Sequence, residues 1–398
     1  MKICNLLESY YPIIGGGESQ SLLLNKALVD KNNRVTVITR RSEKNFKKNE
    51  NIDGVIIKRI LPTGYGHFSR WIMVFTSIPQ LIMQNRNYDI IFVSGFRSLG
   101  ITAVFIGKVF RKPCVLKADN NGEMSGAYFS GRLKKMGYQT TPFLFKIFIS
   151  FRNFLLRRAD AFVSLSSEIT SEFKDNKIEQ TKIYEIPNCF DSGKFFKVNP
   201  SEKIKLRIKL KLPIEHKIFI FTGKLLSTKG LPLLLRVWNE IQKIHDKVLL
   251  LVVGSSRNLM YSCEDELKKY VQENKLEKNV IFTGYRNDVH EYLKSSDIFL
   301  FPTEDEAFGI SLIEAMACGL AVITTSIGGI KDFIKHYENG LLMNVGDFDQ
   351  LYNHIELLLK DDELTDRIGQ NAIQTVKNKY SKISVAESYI ALFEKLNN

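Results

Sequence analysis

Two glutamates separated by seven residues, Glu306 and Glu314, form the most chemically informative pattern in the chain. Between them, Phe308-Gly309-Ile310-Ser311 is typical of the entry to a helix, which the apolar spacing up to Met316 continues. Gly309 lets a ligand approach the backbone, and the unpaired amides of a helix N-terminus bind anions. The pattern predicts a phosphate on these amides and two carboxylates that accept ligand hydroxyls, Glu306 before the helix and Glu314 one turn inside it. Such a layout suits a nucleotide sugar; the alternative is a surface acidic loop before a buried helix.

Two lysines, Lys224 and Lys229, lie in a second loop, bounded by Gly223 and Gly230. Two cations on such a loop can clamp a diphosphate, each acting as a point charge. The alternative is that both lysines are simply solvated. This loop follows a predicted strand at residues 217–221, and the Glu306 loop follows another at residues 298–301. Because ligands bind at the carboxyl ends of strands in open α/β sheets, both loops are placed for binding.

A third loop, Gly15-Gly16-Gly17-Glu18, lies between a predicted first strand at residues 3–7 and a helical pattern at residues 22–28. A strand, a glycine loop and a helix form a turn that a phosphate can approach. By itself the signal is weak, since glycine loops often only turn the chain.

At these motifs the chain resembles the retaining family 4 glycosyltransferases of the GT-B fold. Their donor signature is approximately E-G-F-G-x-x-x-x-E-A-M-A, and it stands here as residues 306–309 and 314–317, with Ala307 in place of the usual Gly. Their G-R-x-x-x-x-K-G pattern corresponds to residues 223–230, with Lys224 in place of Arg. Their G-G-x-E loop corresponds to residues 15–18. The motifs occur in the family's order along nearly the whole chain.

The resemblance assigns roles to these residues. Glu314 would hold the ribose, Glu306 would hold sugar hydroxyls near the reacting carbon, and Tyr285 and Arg286 would lie near the base. The lysines, the glycine loop and the helix amides would stabilise the leaving diphosphate. The expected donor-binding residues are Gly16, Gly17, Lys224, Lys229, Tyr285, Arg286, Glu306, Phe308, Gly309, Ile310 and Glu314, and the expected catalytic residues are Asp119, Glu306, Lys224 and Lys229.

Asp119 is a candidate because the chain lacks a histidine that the resembled family carries at or beside this position. The family usually carries a His at or beside this position, after the strand at residues 113–117, where it helps to place the donor sugar. This chain has no His there. Asp119 is therefore the candidate, with Glu123 as a possible acceptor contact; the alternative for both is ordinary turn chemistry.

Alternating strands and helices predict parallel, doubly wound sheets. The resemblance implies the rest of the architecture: α/β, a GT-B fold of two Rossmann-like domains facing each other across a cleft that closes over the donor. The first domain, which binds the acceptor, spans residues 1–187, and the nucleotide-sugar domain spans 188–378. A linker is expected near 187–215, through the charged stretch 201–211, and a C-terminal helix within 379–398 returns to the first domain. The turn at Asn188-Cys189-Phe190-Asp191 resembles the family's P-N-G-x-D, with Cys189 in place of Gly.

The composition of the 398 residues is globular, with 44% hydrophobic residues, but strongly basic, with a formal net charge of +13. A basic excess indicates a polyanion or an anionic membrane as partner. The five cysteines are scattered and include no C-x-x-C, which favours a reduced compartment. The apolar N-terminus breaks at Glu8, too early for a signal peptide, and no long uncharged apolar run is present. We therefore expect a cytoplasmic protein, peripheral on the cytoplasmic face of the membrane.

Residues 132–158 combine seven Lys or Arg residues with many Phe, Leu and Ile residues and contain no acid. A basic amphipathic segment rich in Phe is typical of binding to a membrane surface, and Pro142 suits a helix start. The segment at residues 70–83, which contains Trp71 and Phe75, could add to the same face. The alternative is a buried helix with basic ends.

No metal or cofactor is expected. Asp347 and Asp349 form a D-x-D, which holds a divalent metal in many glycosyltransferases of the other main fold. Here Asp347 or Asp349 more simply caps the helix that follows, and the resembled family is typically independent of metals.

Together, the motifs and the resemblance imply a retaining, metal-independent transferase that moves a sugar from a nucleoside-diphosphate sugar, UDP first, to a hydroxyl of a glycan or lipid-linked acceptor in bacterial surface polysaccharide or glycolipid synthesis. The alternative is a catalytically inactive sugar- or polyanion-binding protein peripheral to the membrane. A nicotinamide oxidoreductase should show G-x-G-x-x-G after the first strand, which is missing. A nucleic-acid partner would leave the two glutamates unexplained, because carboxylates repel phosphates.

Overall fold

The computed structural model describes residues 1–13, 15–64, 69–129, 142–256 and 261–397. The chain forms two compact units. Unit 1 comprises Met1–Cys189 and Lys382–Asn398, and unit 2 comprises Phe190–Ser381. The boundaries expected from the sequence, after residues 187 and 378, fall slightly before these.

Unit 1 contains a sheet of eight described strands in the order β3-β4-β2-β1-β5-β6-β7-β8. Neighbouring strands are parallel, except that β3 and β4 form an antiparallel hairpin. The strands are β1 (Lys2–Leu6), β2 (Arg34–Arg40), β3 (Asn49–Ile52), β4 (Val55–Ile60), β5 (Ile90–Ser94), β6 (Cys114–Lys117), β7 (Ala161–Ser164) and β8 (Ile183–Glu185). The helices are α1 (Gly16–Asp30), α2 (Ser69–Met83), α3 (Leu99–Phe110), α4 (Phe143–Leu156) and α5 (Ser167–Asp175).

Unit 2 contains a parallel sheet of six described strands in the order β11-β10-β9-β12-β13-β14. Strands β10 and β12 are apolar along their whole length and fully buried, as expected for the centre of a sheet covered on both faces. The strands are β9 (Lys217–Thr222), β10 (Val248–Val253), β11 (Val280–Gly284), β12 (Ile298–Phe301), β13 (Ala321–Thr325) and β14 (Leu341–Met343). The helices are α6 (Pro200–Lys209), α7 (Leu231–Ile241), α8 (Glu264–Glu273), α9 (Val289–Ser295), α10 (Ile310–Ala317), α11 (Phe348–Lys360) and α12 (Asp362–Lys377).

The last helix, α13 (Lys382–Asn397), belongs to unit 1, which confirms the predicted return to the first domain. The rings of Tyr389 and Phe393 lie 5.2 and 5.7 Å from the ring of Phe92 on β5. In the described ranges no helix is long and apolar enough to cross a bilayer.

The predicted linker is wrong in one part. The charged stretch at residues 201–211 is mostly α6, which is capped by Asn199 and packs within unit 2 against α9. Its Arg207 is buried and donates to the carboxylate of Asp297 at 2.7 Å. At least one of these charged residues, Arg207, therefore faces inward in an ion pair. The many charged residues in this stretch had instead indicated an exposed linker.

Asp347 caps α11 by accepting from the Gln350 amide at 2.9 Å, as predicted.

The strand order in each sheet reverses direction at one point, between β1 and β5 in unit 1 and between β9 and β12 in unit 2. Ligands of doubly wound sheets bind outside the carboxyl ends of the strands at such reversals. In unit 2 the loops that leave β9 and β12 are those that carry the two lysines and Glu306. In unit 1 the loops that leave β1 and β5 carry Glu8 and Arg97.

Candidate functional site

Three glycines line the carboxyl edge of the unit 2 sheet, where β9, β10 and β11 end. Gly223 donates to the carbonyl of Val253 at 3.0 Å, and Gly254 donates to the carbonyl of Gly284 at 3.0 Å. A Cβ on Gly254 would lie 1.9 Å from the Gly223 carbonyl oxygen. No side chain fits between these backbones, so the floor beside the lysine loop is bare peptide that a ligand can approach.

The lysine loop and the Glu306 loop are bound to each other. Gly230 has φ +70°, and a Cβ there would lie 1.8 Å from the carbonyl oxygen of Pro302. The Glu304 amide donates to the carbonyl of Thr228 at 2.8 Å. Only glycine permits this contact, which brings Lys229 beside Glu306.

We expect Gly230→Ala to destabilise unit 2 by roughly 2–4 kcal/mol, because strain at positive φ adds to a backbone clash. The measurement is urea unfolding. Gly346→Ala is the matched control: its φ is +77°, yet nothing lies within 4 Å of the added Cβ. It should cost only about 1 kcal/mol. Equal losses for the two variants would contradict the proposed loop contact.

Lys229 and Glu306 meet at the entry to α10. Lys229 Nζ lies 2.9 Å from Glu306 Oε2 and donates to the carbonyl of Asp305 at 2.9 Å. The other oxygen, Glu306 Oε1, accepts from the Gly309 amide at 3.1 Å. The amides of Ile310 and Ser311 follow, and the helix supplies no acceptor for them. A lysine, a carboxylate and a helix N-terminus therefore converge, as the sequence predicts.

Phe308 is placed differently from the prediction. Its side chain is buried, and its ring contacts those of Phe333 and Tyr380 at 5.7 and 5.8 Å. The side chain therefore packs in the interior of unit 2, which leaves the backbone of Phe308 for the expected contact with a donor.

Glu314 lies about one turn inside α10, as predicted. Its carboxylate forms no hydrogen bond with the side chains and backbone of the described residues. Burial, with a smaller contribution from the charge of Asp191, raises its pKa to about 8. A partly enclosed carboxylate that lacks a protein donor is suited to accept hydroxyl groups from a ligand.

The remaining predicted residues of unit 2 are more exposed. Lys224 is exposed and has no side-chain ion pair within the described part of the chain. Tyr285 donates to Asn287 at 2.8 Å, and Arg286 forms a bidentate pair with Asp288. Both follow β11, next to the glycine floor, and are held by their own loop.

In unit 1 the predicted residues Gly17 and Asp119 come together. A Cβ on Gly17 would lie 3.6 Å from Asp119 Oδ2, so the glycine loop at the start of α1 borders this carboxylate. The other oxygen, Asp119 Oδ1, lies 2.8 Å from Lys117 Nζ. Lys117 is 3% exposed and also donates to Asn188 at 3.1 Å. Asp119 is thus held by a buried cation.

Lys117 and Arg97 are site residues that the sequence analysis missed. Arg97 follows β5; its guanidinium stacks 4.6 Å from the ring centre of Tyr128 and donates to that hydroxyl at 2.7 Å. The charges of Glu123, Tyr128, Glu8 and Asp119 together raise the pKa of Arg97, against the effect of burial. The available signal was that Arg97 follows β5 and Lys117 ends β6, at the carboxyl ends of two neighbouring parallel strands.

Glu123 does not fit the predicted contact with an acceptor. It is fully buried, and Arg97 Nε lies 3.5 Å from its Oε1. Burial raises the pKa of Glu123 to about 7, although the charge of Arg97 opposes this. Its place is beneath the loop that carries Asp119.

Comparison with known proteins supports the resemblance to the family 4 glycosyltransferases that the sequence motifs indicate. The family model described as "Glycosyltransferase Family 4" matches residues 14–194, and "Glycosyl transferases group 1" matches residues 202–375. An uncharacterized glycosyltransferase of Methanocaldococcus jannaschii is 27% identical over 406 residues, 99% of this chain and 98% of that one. The capsular polysaccharide biosynthesis glycosyltransferase CapM of Staphylococcus aureus is 29% identical over 183 residues, 46% of this chain and 47% of that one.

Among solved structures, Anabaena HepE in complex with UDP is similar with a TM-score of 0.76 over 99% of this chain and 100% of that one, at 20% identity. This likeness concerns the fold, a GT-B fold of two Rossmann-like units. Between them the two family models span most of the chain, and each covers one of the two units that hold the predicted site residues. The chain therefore belongs to family 4 of the glycosyltransferases, glycosyl transferases group 1, and is a transferase with the GT-B fold.

Proposed function

We propose that this enzyme transfers a sugar from a UDP-sugar to a hydroxyl of a glycan or lipid-linked acceptor, with retention of anomeric configuration. The observation that carries the proposal is the convergence of Lys229, Glu306 and the N-terminus of α10 at the strand reversal of unit 2. Relatives support the donor and the acceptor class: HepE is described in complex with UDP-glucose, and others are named for capsular polysaccharide and lipopolysaccharide synthesis.

The chemistry required is stabilisation of an anionic leaving group. When the bond between the sugar and the diphosphate breaks, charge develops on the phosphate oxygens. Lys229, Lys224 and the amides of Ile310 and Ser311 are preorganised for that charge. Because these residues supply the positive charge, transfer is expected to persist after treatment with EDTA.

The carboxylates of unit 2 hold the two ends of the donor. Glu306 accepts sugar hydroxyls near the reacting carbon, and Glu314 accepts the ribose hydroxyls. The acceptor hydroxyl attacks on the face that the diphosphate leaves, and the leaving phosphate takes its proton. A double displacement would require a free carboxylate as nucleophile. Asp119, the candidate, has one oxygen engaged by Lys117, which favours a positioning role for it.

The acceptor is proposed to be presented at an anionic membrane, on its cytoplasmic face, through the basic segment 132–158. The distribution of charge supports this. The unit 1 sequence has 30 Lys and Arg residues and 17 Asp and Glu residues, whereas unit 2 has 26 of each. The net charge of +13 therefore belongs entirely to unit 1. Residues 132–141 lie outside the described part of the chain, and α4 covers most of the remainder.

The first experiment is thermal melting of the wild type and Glu314→Ala with UDP, GDP, ADP and CDP. A ligand at about 100 times its dissociation constant adds roughly 2.7 kcal/mol of stability, which is a shift of several degrees. UDP should stabilise the wild type and not the variant. If no nucleotide shifts the melt, the transferase proposal fails. UDP release from UDP-sugars then distinguishes an enzyme from an inactive binding protein.

Glu306→Gln should bind free UDP about fivefold more tightly than the wild type, yet lose transfer by about 10²-fold. The carboxylate lies beside the amides and the lysine that hold the diphosphate, and its charge repels that anion by about 1 kcal/mol. In the wild type this repulsion is offset only when Glu306 accepts hydrogen bonds from the sugar hydroxyls of the donor. Removing the charge therefore strengthens the binding of free UDP but lowers the rate of transfer. The measurement is calorimetric titration with UDP. The control is Glu304→Gln, an exposed neighbour with the same change of charge. Equal UDP affinity in both variants would exclude this repulsion.

A further inference from the structure

Helix α4 has its apolar side facing outward. Arg152 and Asn153 are 1% and 5% exposed, together with Ile149 and Leu156 on the same inward side. A surface helix of a soluble domain normally has the opposite arrangement. The outward side chains are 50–79% exposed: Phe143, Leu144, Ile147, Phe151 and Phe154.

The two neighbouring helices of unit 1 add to this surface. Helix α3 packs against both α2 and α4, and the Trp71 ring of α2 lies 5.4 Å from the Phe148 ring of α4. On α2 and α3 further large apolar side chains are 56–75% exposed: Phe75, Met83, Phe105 and Val109. We call these exposed side chains of α2, α3 and α4 the outer face. Monomeric soluble proteins rarely leave so many large apolar groups exposed on adjoining helices, which indicates a docking surface.

The charge of this region indicates which partner covers the outer face. Among the described residues between 105 and 158, six Lys and Arg side chains are at least partly exposed: Lys108, Arg111, Lys112, Lys146, Arg157 and Arg158. The two acids of this range, Asp119 and Glu123, are paired with Lys117 and Arg97 within unit 1. Exposed apolar groups flanked by Lys and Arg match the acyl boundary and the headgroups of an anionic bilayer. A second copy would bring equally basic surfaces together. A nucleic acid would leave the aliphatic groups uncovered.

The inward side of α4 holds the loop that carries Asp119. Arg152 Nη2 donates to the carbonyls of Glu123 and Met124 at 2.9 and 2.6 Å, and Asn153 Nδ2 donates to that of Met124 at 2.8 Å. From α5, the Glu172 carboxylate accepts from three amides of the same loop, at 2.7–3.0 Å. The loop at residues 119–125 is therefore clamped by side chains of two helices, one of which has the outer face on its other side.

We propose that the outer face docks on an anionic lipid bilayer, and that docking steadies α4 and, through Arg152 and Asn153, orders the Asp119 loop. This rests on the proposed transferase function and adds a regulation to it: the acceptor side of the enzyme is most ordered where a lipid-linked acceptor is found. Binding energy at the surface favours the ordered loop because the same helix makes both sets of contacts.

Vesicle sedimentation of the full chain tests the docking. The wild type should bind vesicles of phosphatidylcholine with about 30% phosphatidylglycerol more tightly than pure phosphatidylcholine, and less tightly in high salt. Phe151→Glu should bind about tenfold more weakly. Ile208→Glu on α6 is the matched control, since both residues are 61% exposed, and it should bind like the wild type. The docking proposal is overturned if the wild type does not bind vesicles, or if Phe151→Glu binds them as tightly as the wild type does. It is also overturned if light scattering shows that the wild type is a dimer and that Phe151→Glu dissociates it.

Hydrogen exchange tests the coupling to the loop. Adding anionic vesicles should slow exchange of the Gly122, Met124 and Ser125 amides about threefold or more in the wild type, and not in Phe151→Glu. Asn153→Ala should bind vesicles normally but lose much of this slowing. Vesicle binding without a change in loop exchange overturns the coupling. Neither measurement requires a nucleotide, so these outcomes are independent of the nucleotide melting test, in which failure would overturn the transferase proposal.

Discussion

Lys229→Met is expected to lower kcat/KM for sugar transfer by about 10²–10³-fold. Methionine keeps much of the length and apolar stem of lysine but removes the charge aimed at the leaving diphosphate. Loss of one preorganised electrostatic contact to a developing anion typically costs about 2.7–4 kcal/mol. The effect should exceed that of Lys224→Met, because Lys229 is positioned by Glu306 and the carbonyl of Asp305, whereas Lys224 is exposed.

The measurement is steady-state UDP release with a saturating acceptor. Lys243→Met is the control: it removes an exposed lysine of the same unit that, among the described residues, forms its ion pair with Glu240 on the surface. Near-normal activity should result. If Lys229→Met retained more than about a tenth of the wild-type activity, the leaving group would not depend on this lysine, and the lysine loop would lose its proposed role.

Glu314→Gln is expected to stabilise the free enzyme at pH 8 by about 1–3 kcal/mol while abolishing stabilisation by UDP. The pKa of Glu314 is raised from its ordinary value of 4.5 to about 8. Between these values the folded state keeps a proton that the unfolded state has lost, so this residue makes the wild type progressively less stable as pH rises from about 4.5 to about 8. Glutamine has no proton to lose, and the difference between the two proteins should therefore grow over that window.

Urea unfolding at pH 5 and pH 8.5 measures this difference. Glu338→Gln, an exposed pair partner of Lys335, should change stability by less than about 0.5 kcal/mol at both pH values. A Glu314→Gln protein less stable than the wild type at pH 8.5 would mean that the carboxylate is stabilised in the fold, and that its environment is not the one described. If Glu314→Gln is more stable than the wild type but is no longer stabilised by UDP, then Glu314 contributes to nucleotide binding and not to folding.

Local patterns in the sequence predict many of the strands, turns and helices of this fold. The apolar strands, the glycines that end them and the helical spacing after Gly309 each depend on nearby residues, so the positions of Glu306 and Glu314 at the start of α10 were predictable. The return of α13 to unit 1 was predicted from the family resemblance and not from a local pattern. The β3–β4 hairpin was missed although Asp53-Gly54, both with positive φ, is a strong two-residue turn signal.

By itself, the sequence determined the fold class, the two loops of unit 2 and the residues that meet there, because strand and helix periodicity and glycine turns act over a few residues. Tertiary structure alone decided which charges meet. Arg97 reaches the Asp119 loop because parallel pairing sets β5 beside β6. It also decided that Glu123 is buried and that α4 turns Arg152 inward and Phe151 outward. Those outcomes depend on which surfaces pack over long sequence separations, and no local pattern carries that information.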